Sequence, residues 1–161
     1  MKAITIGSTG AVGRDLLTVL ASDPDFERVD VLVRRLPQLP SEHAEKFHVH
    51  IIDFEHPETW KSLVTGDVLF SSLGTSKKQA GGKQPQWRVD HDYQLAAAKA
   101  ARENGVPKMV VISSLGADPA SSFFYLQMKG KIEKDLEALH FPELTILRPP
   151  CANTLSAFRT R

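Results

Sequence analysis

The feature that most limits what this chain can fold into is the run Gly7-Ser8-Thr9-Gly10-Ala11-Val12-Gly13. An apolar stretch from Ala3 to Ile6 leads into it, and Val12, Leu16, Leu17 and Leu20 follow at helical spacing. A short apolar run that gives way to a 3.6-residue period across glycines reads as strand, tight turn and helix. A turn without side chains lets a ligand approach the backbone, while the free N–H groups and positive dipole end of the helix favour an anion. Three glycines in this context meet the test for a dinucleotide pyrophosphate site. Gly7, Ser8, Thr9, Gly10, Ala11, Val12 and Gly13 are therefore the first candidate binding residues, against the alternative that the glycines serve only turn and packing.

The alternation continues. Val29 to Val33, His48 to Ile52, Val68 to Phe70, Met109 to Ile112 and Leu144 to Leu147 read as further strands. A polar loop is expected from Gly74 to Gln86. After it Val89, Tyr93, Ala96, Ala97 and Ala100 mark a helix stopped by Asn104 and Gly105. Ser121 or Ser122 is expected to cap another helix carrying Leu126, Ile132, Leu136 and Leu139. Leu36 to Lys46 shows no helical period, so that crossover is expected to be a loop. Short, nearly continuous apolar strands separated by amphipathic helices predict an α/β fold: a doubly wound parallel sheet of Rossmann type, in strand order 3-2-1-4-5-6.

Composition bounds the rest. At 161 residues and 42% apolar side chains, residues 1–161 are expected to form one dinucleotide-binding domain. A chain of this length buries roughly 70% of its unfolded surface without disulfide or metal staples. Cys151 is the sole cysteine, so no intramolecular disulfide forms and a reducing, cytoplasmic setting is expected. A net charge of +1 argues against nucleic acid or anionic lipid as partners. The early glycines do not suit a signal peptide, and no apolar run approaches the roughly 18 residues of a membrane helix. His43, His48, His50 and His56 lie near one another without cysteines or a zinc-binding pattern, so no metal is predicted.

The second strand ends Val33-Arg34-Arg35, where a site for NAD usually places a carboxylate. Guanidinium groups suit phosphate oxygens, so Arg34, with Arg35 in reserve, points to the 2′-phosphate of NADP rather than to NAD; the alternative is two solvated arginines. Asp53 either accepts from the adenine amino group, with Phe54 flanking the ring, or begins a turn before Pro57. Leu73, Gly74 and Thr75 follow the fourth strand at the ligand-binding edge, where their backbone would line the ribose and nicotinamide.

Tyr125 and Lys129 are four residues apart on one helical face, continuous with the apolar stripe, so the ammonium is expected to be partly buried. A cation beside a phenol favours the phenolate, a route to proton transfer at a carbonyl oxygen. A hydroxyl from Ser113 or Ser114, after the fifth strand, would hold the same oxygen. The alternative is a packed tyrosine beside a snorkelling lysine.

In order and spacing, GSTGAVGR, VLVRR, DF, SSLGTSKKQAG, VDHDY, VISSLGAD and SSFFYLQMKGKIE resemble the atypical short-chain dehydrogenase/reductase family. Within it they resemble the branch of the Tat-interacting tumour-suppressor oxidoreductase and its bacterial relatives, over Met1 to about Pro150. The resemblance implies an NADP-binding Rossmann domain with Gly7, Gly10, Gly13 and Arg34 at the cofactor. It also implies Ser114, Tyr125 and Lys129 as the catalytic group, Lys129 holding the nicotinamide ribose as well. Such relatives continue for some tens of residues past the arginine-proline corner, so the substrate region is expected to be shortened here. Two functions follow as expectations: NADPH-dependent interconversion of a small carbonyl and its alcohol, or a non-catalytic NADPH-binding regulator that acts through a protein partner. A homo-oligomer is compatible with either.

Overall fold

The computed structural model describes residues 1–150, and Cys151, expected to be a small apolar residue, lies outside them. Six parallel strands form one sheet: β1 (Lys2–Ile6), β2 (Arg28–Val33), β3 (Phe47–Ile51), β4 (Val68–Ser71), β5 (Lys108–Ile112) and β6 (Glu143–Leu147). Their order is β3-β2-β1-β4-β5-β6, the doubly wound order expected from the alternation. Every pairing is parallel, as in Ala3 opposite both Val29 and Val68.

The strands read as apolar runs because both faces are covered. Ala3, Val29, Val31 and Val33 pack with Leu17, Leu20 and Ala21 of helix α1 (Ala11–Ser22). Ile4, Ile6, Leu32, Leu69 and Met109 point the other way, into a second core with the alanines of a long helical segment and with Ile132 and Leu136. Successive strand residues alternate faces, so adjacent apolar side chains enter different cores. The β2–β3 crossover carries only a single 3-10 turn over Ala44–Lys46, as its missing periodicity predicts.

Three local features depart from expectation. A short helix α2 (Pro57–Trp60) starts with proline, whose fixed φ suits a first turn. The expected polar loop after β4 contains helices α3 (Lys77–Ala80) and α4 (Lys83–Trp87), separated by Gly81 in the left-handed region at φ 87°. Ser76 caps α3 reciprocally with Gln79. From Lys83 the chain stays helical to Glu103, through a π-helical turn over Arg88–Asp92 into α5 (Tyr93–Glu103). Helix α6 (Phe124–Glu137) begins later than the serines suggest, since the Ser121 hydroxyl accepts from the Phe123 N–H before the helix starts. No helix of the described residues is long and apolar enough to cross a membrane.

Candidate functional site

The glycine turn sits at the switch point of the sheet, where β1 hands over to β4. Gly7 has φ 87°, and a Cβ there would stand 2.4 Å from the Leu73 nitrogen, so conformation and close approach both demand glycine. A Cβ on Gly13 would stand 2.3 Å from the Gly7 carbonyl, which holds α1 tight against the turn. Gly10 differs, because its Cβ would meet only the Gly7 oxygen, at 3.3 Å, and would otherwise fill open space. It caps α1 without a side-chain bond and no acidic residue occupies the first turn, so neither meets the leading N–H groups. Glycines used respectively for turn, ligand approach and helix packing are what a pyrophosphate cradle needs, and these residues fit a dinucleotide.

A cleft of about 550 Å³ opens over this turn. Gly7, Thr9, Gly10, Arg34, Arg35, Phe54, Leu73, Gly74 and Thr75 line it, so most of the predicted cofactor set converges on one wall or another. Ser8 turns inward, with its hydroxyl donating to Thr5 at 2.9 Å. Ala11 and Val12 are exposed at the start of α1. The Asp53 carboxylate accepts from the Glu55 N–H at 3.0 Å, as in a turn, and its carbonyl accepts from the Trp60 indole at 2.8 Å. Phe54 is buried, edge-on to Trp60 and stacked on Tyr93 with centroids 5.3 Å apart, so only part of its ring reaches the cleft. Both backbone groups of Thr75 are engaged, the N–H with Asp90 at 2.8 Å and the carbonyl with the Gln86 amide at 3.0 Å.

At the same edge, β5 runs out into Ser113 and Ser114. The Ser113 hydroxyl donates to buried Glu133, which a bidentate Arg148 also grips. The hydroxyl of Ser114, buried too, makes among the described residues a long contact to the Leu115 carbonyl at 3.4 Å. Tyr125 is half-buried on α6, and the Lys129 ammonium lies 5.9 Å from its ring centroid. Lys129 is deeply buried, its side chain 4% exposed, as its place beside the apolar stripe predicts. Gly130 lets α6 approach the preceding loop, for a Cβ there would stand 2.2 Å from the Pro119 nitrogen.

Residue-by-residue reading missed Asp90, whose carboxylate stands 3.4 Å from the Lys129 ammonium while also accepting from Thr75. Burial pushes the Asp90 carboxyl up, and Lys129 and the Thr75 N–H only partly oppose that. Gln94 supports the pair from behind, donating to the Asp90 carbonyl and accepting from Ser71 at 2.6 Å. A buried polar line thus runs from β4 through the π turn to α6. The π turn is what aims Asp90 inward, and such turns recur at functional sites.

A family model described as NAD(P)H-binding matches residues 7–154. The chain is 41% identical over 151 residues to Protein FMP52, mitochondrial, of Eremothecium gossypii, covering 92% of this chain and 65% of that protein. The Saccharomyces cerevisiae protein of the same name is 39% identical over 153 residues, covering 92% and 64%. The chain therefore spans just under two thirds of those relatives' length. Among solved structures, Thermotoga maritima UDP-glucose 4-epimerase with UDP-glucose superposes with a TM-score of 0.72 at 16% identity, over 92% of this chain and 55% of that one. The Citrobacter sp. triphenylmethane reductase complexed with NADP(H) gives 0.69 at 21%, over 91% and 48%. At these identities the structures speak for the fold. Two expectations change. The relatives carry the FMP52 name rather than that of the Tat-interacting branch, and their mitochondrial names overturn the cytoplasmic setting inferred from a single cysteine. A chain with one cysteine forms no internal disulfide in any compartment, so its cysteine count does not choose between the two.

Proposed function

The chain belongs to the NAD(P)H-binding family, and from that premise we propose that it is an oxidoreductase of short-chain dehydrogenase/reductase type, interconverting a small carbonyl compound and its alcohol with NADP. The observation that carries this reading is the buried Lys129 ammonium beside the Tyr125 ring, on the helix that faces the ligand-binding edge. The Gly7–Gly13 turn would hold a nicotinamide dinucleotide, which would supply or accept the hydride.

The side chains then have separate tasks. Tyr125 gives its phenolic proton to the carbonyl oxygen, or takes it back in the reverse direction, and Lys129 favours the phenolate by its charge. Ser114 donates to the same oxygen and fixes its position. Arg34 offers a planar fork to a 2′-phosphate, which favours NADP over NAD. Burial around Lys129 keeps water from weakening its field. The relatives' names make the mitochondrion the compartment in which to look for the protein.

Tyr125→Phe should lower turnover of a carbonyl substrate by about 100-fold or more, the usual worth of a general acid, while NADPH affinity by fluorescence titration changes little. Undiminished turnover in that variant would sink the mechanism.

A further inference from the structure

A second chamber, about 890 Å³, adjoins the cofactor cleft and shares Arg34, Thr75, Gln79 and Val89 with it. Ser114 and Tyr125 are not among the described residues that line either space. The chamber reaches the end of β2, where Arg34 stands. Of the stacked rings of Phe54 and Tyr93, Phe54 lines the cleft and Tyr93 the chamber.

Arg88, the first residue of the π turn, lines the same chamber as Arg34. Its guanidinium donates once to Glu55, at 3.1 Å, and is 60% exposed. The same Glu55 oxygen accepts from the Tyr93 hydroxyl at 2.5 Å. Burial and the hydrogen bond to Glu55 push the Tyr93 phenol up to about 12, against the pull of Arg88 and Arg34, so both arginines are near enough for their charges to be felt at that hydroxyl. Among the described residues Arg88 thus has one exposed partner, and its guanidinium carries further donors. An ion pair this open to water is a weak bond, readily exchanged for a better one. A phosphate monoester, with a charge near −2 and three acceptor oxygens, is such a partner for a planar fork.

We propose that Arg88 and Arg34 form a two-arginine clamp for a phosphate on the adenosine of the dinucleotide, with Glu55 holding Arg88 ready and giving it up to that phosphate. The inference rests on the dinucleotide reading above and deepens it. Cofactor choice is then set by three elements, the end of β2, the turn after β3 and the π turn, rather than by β2 alone. Glu55 is the brake on the device, because its charge opposes any anion placed between the arginines.

The test is titration of the 161-residue chain with NADPH, NADH and the fragment pair adenosine 2′,5′-bisphosphate and ADP, at low and moderate salt. Arg88→Ala should weaken NADPH and the bisphosphate about tenfold, as expected for loss of one charge-assisted hydrogen bond, with NADH and ADP changed less than about twofold. Glu55→Gln should strengthen NADPH and the bisphosphate by roughly threefold and leave NADH alone, and this variant keeps the inference testable if Arg88→Ala does not fold. Equal loss for both dinucleotides in Arg88→Ala, or no gain in Glu55→Gln, overturns the clamp. Wild type that binds NADH and not NADPH also overturns it while the dinucleotide reading survives. Wild type that binds none of the four ligands removes both.

Discussion

Two aspartates, Asp30 and Asp90, are both almost wholly buried beside basic groups, and their carboxyls move in opposite directions. Asp30 on β2 meets three cationic or potentially cationic groups: Lys2 at 2.8 Å, Arg28 at 2.9 Å and His50 at 2.9 Å. Burial by itself would raise its carboxyl, but the hydrogen bonds from Arg28, Lys2 and His50 prevail and hold it at about 2. Asp90 has one cation, Lys129, which is as buried as itself. Here burial wins and the carboxyl rises. What separates the two is the company of each carboxylate: solvated side chains reach in to Asp30, whereas Asp90 and its partner have both left water.

The largest effect should come from breaking the dry pair. Asp90→Ala strands the Lys129 ammonium and removes the acceptor of the Thr75 N–H, and should cost about 3 kcal/mol or more in urea denaturation. Asp30→Ala should cost less, roughly 1–2 kcal/mol, because Lys2, Arg28 and His50 are 29%, 46% and 26% exposed and can turn to water. A larger loss at Asp30 would reverse the comparison. The double replacement Asp90→Asn with Lys129→Met sharpens it. The amide still accepts from Thr75 and the thioether fills the lysine's path, so stability should return to within about 1 kcal/mol of wild type. Failure to recover would show that the pair is held by more than its own charges.

Acid should separate the two aspartates next. The Asp30 carboxyl moves from the ordinary 3.8 to about 2 on folding, so its stabilisation is complete above 3.8 and disappears as pH falls toward 2. The gap between wild type and Asp30→Asn should therefore close over that window, by about 1–2 kcal/mol after allowing for solvent around the three cations. Asp90, raised by folding, has the opposite sign: its contribution is fully present below 3.8 and is lost as pH rises through its elevated value. Wild type compared with Asp90→Asn should gain in acid where the Asp30 comparison loses. Urea midpoints of the three proteins from pH 6 to pH 2 check this, and parallel trends would break it.

The same contrast explains what could be read from the sequence. The Gly7–Gly13 turn was legible because glycine is the one residue whose backbone freedom marks it in isolation, and strand order followed from alternation of short apolar runs. Lys129 was legible because it lies on an apolar stripe of period 3.6. Asp90 was not, because the π turn over Arg88–Asp92 shifts the helical phase on which facing residues are judged. Gly81, Gly82 and Pro85 read as loop residues and hid α3 and α4, helices too short to carry a period. Asp53 is ambiguous for a plain reason: an aspartate at a strand end suits a ligand and an Asx turn equally.

The smallest effect is the sharpest test of whether company or burial decides. His50 gives Asp30 one contact of several, and its side chain already borders water. With His50→Gln, the Lys2 and Arg28 contacts remain and the new amide can donate in its place, so stability should fall by no more than about 0.5 kcal/mol. Lys129→Met alone removes the sole cation of a carboxylate that cannot reach water, and its loss should be about 3 kcal/mol. If the two single replacements proved equal, cations around Asp30 would not share the load. The low Asp30 value would then depend on His50 in particular, and the distinction between a shared and a solitary partner would fail.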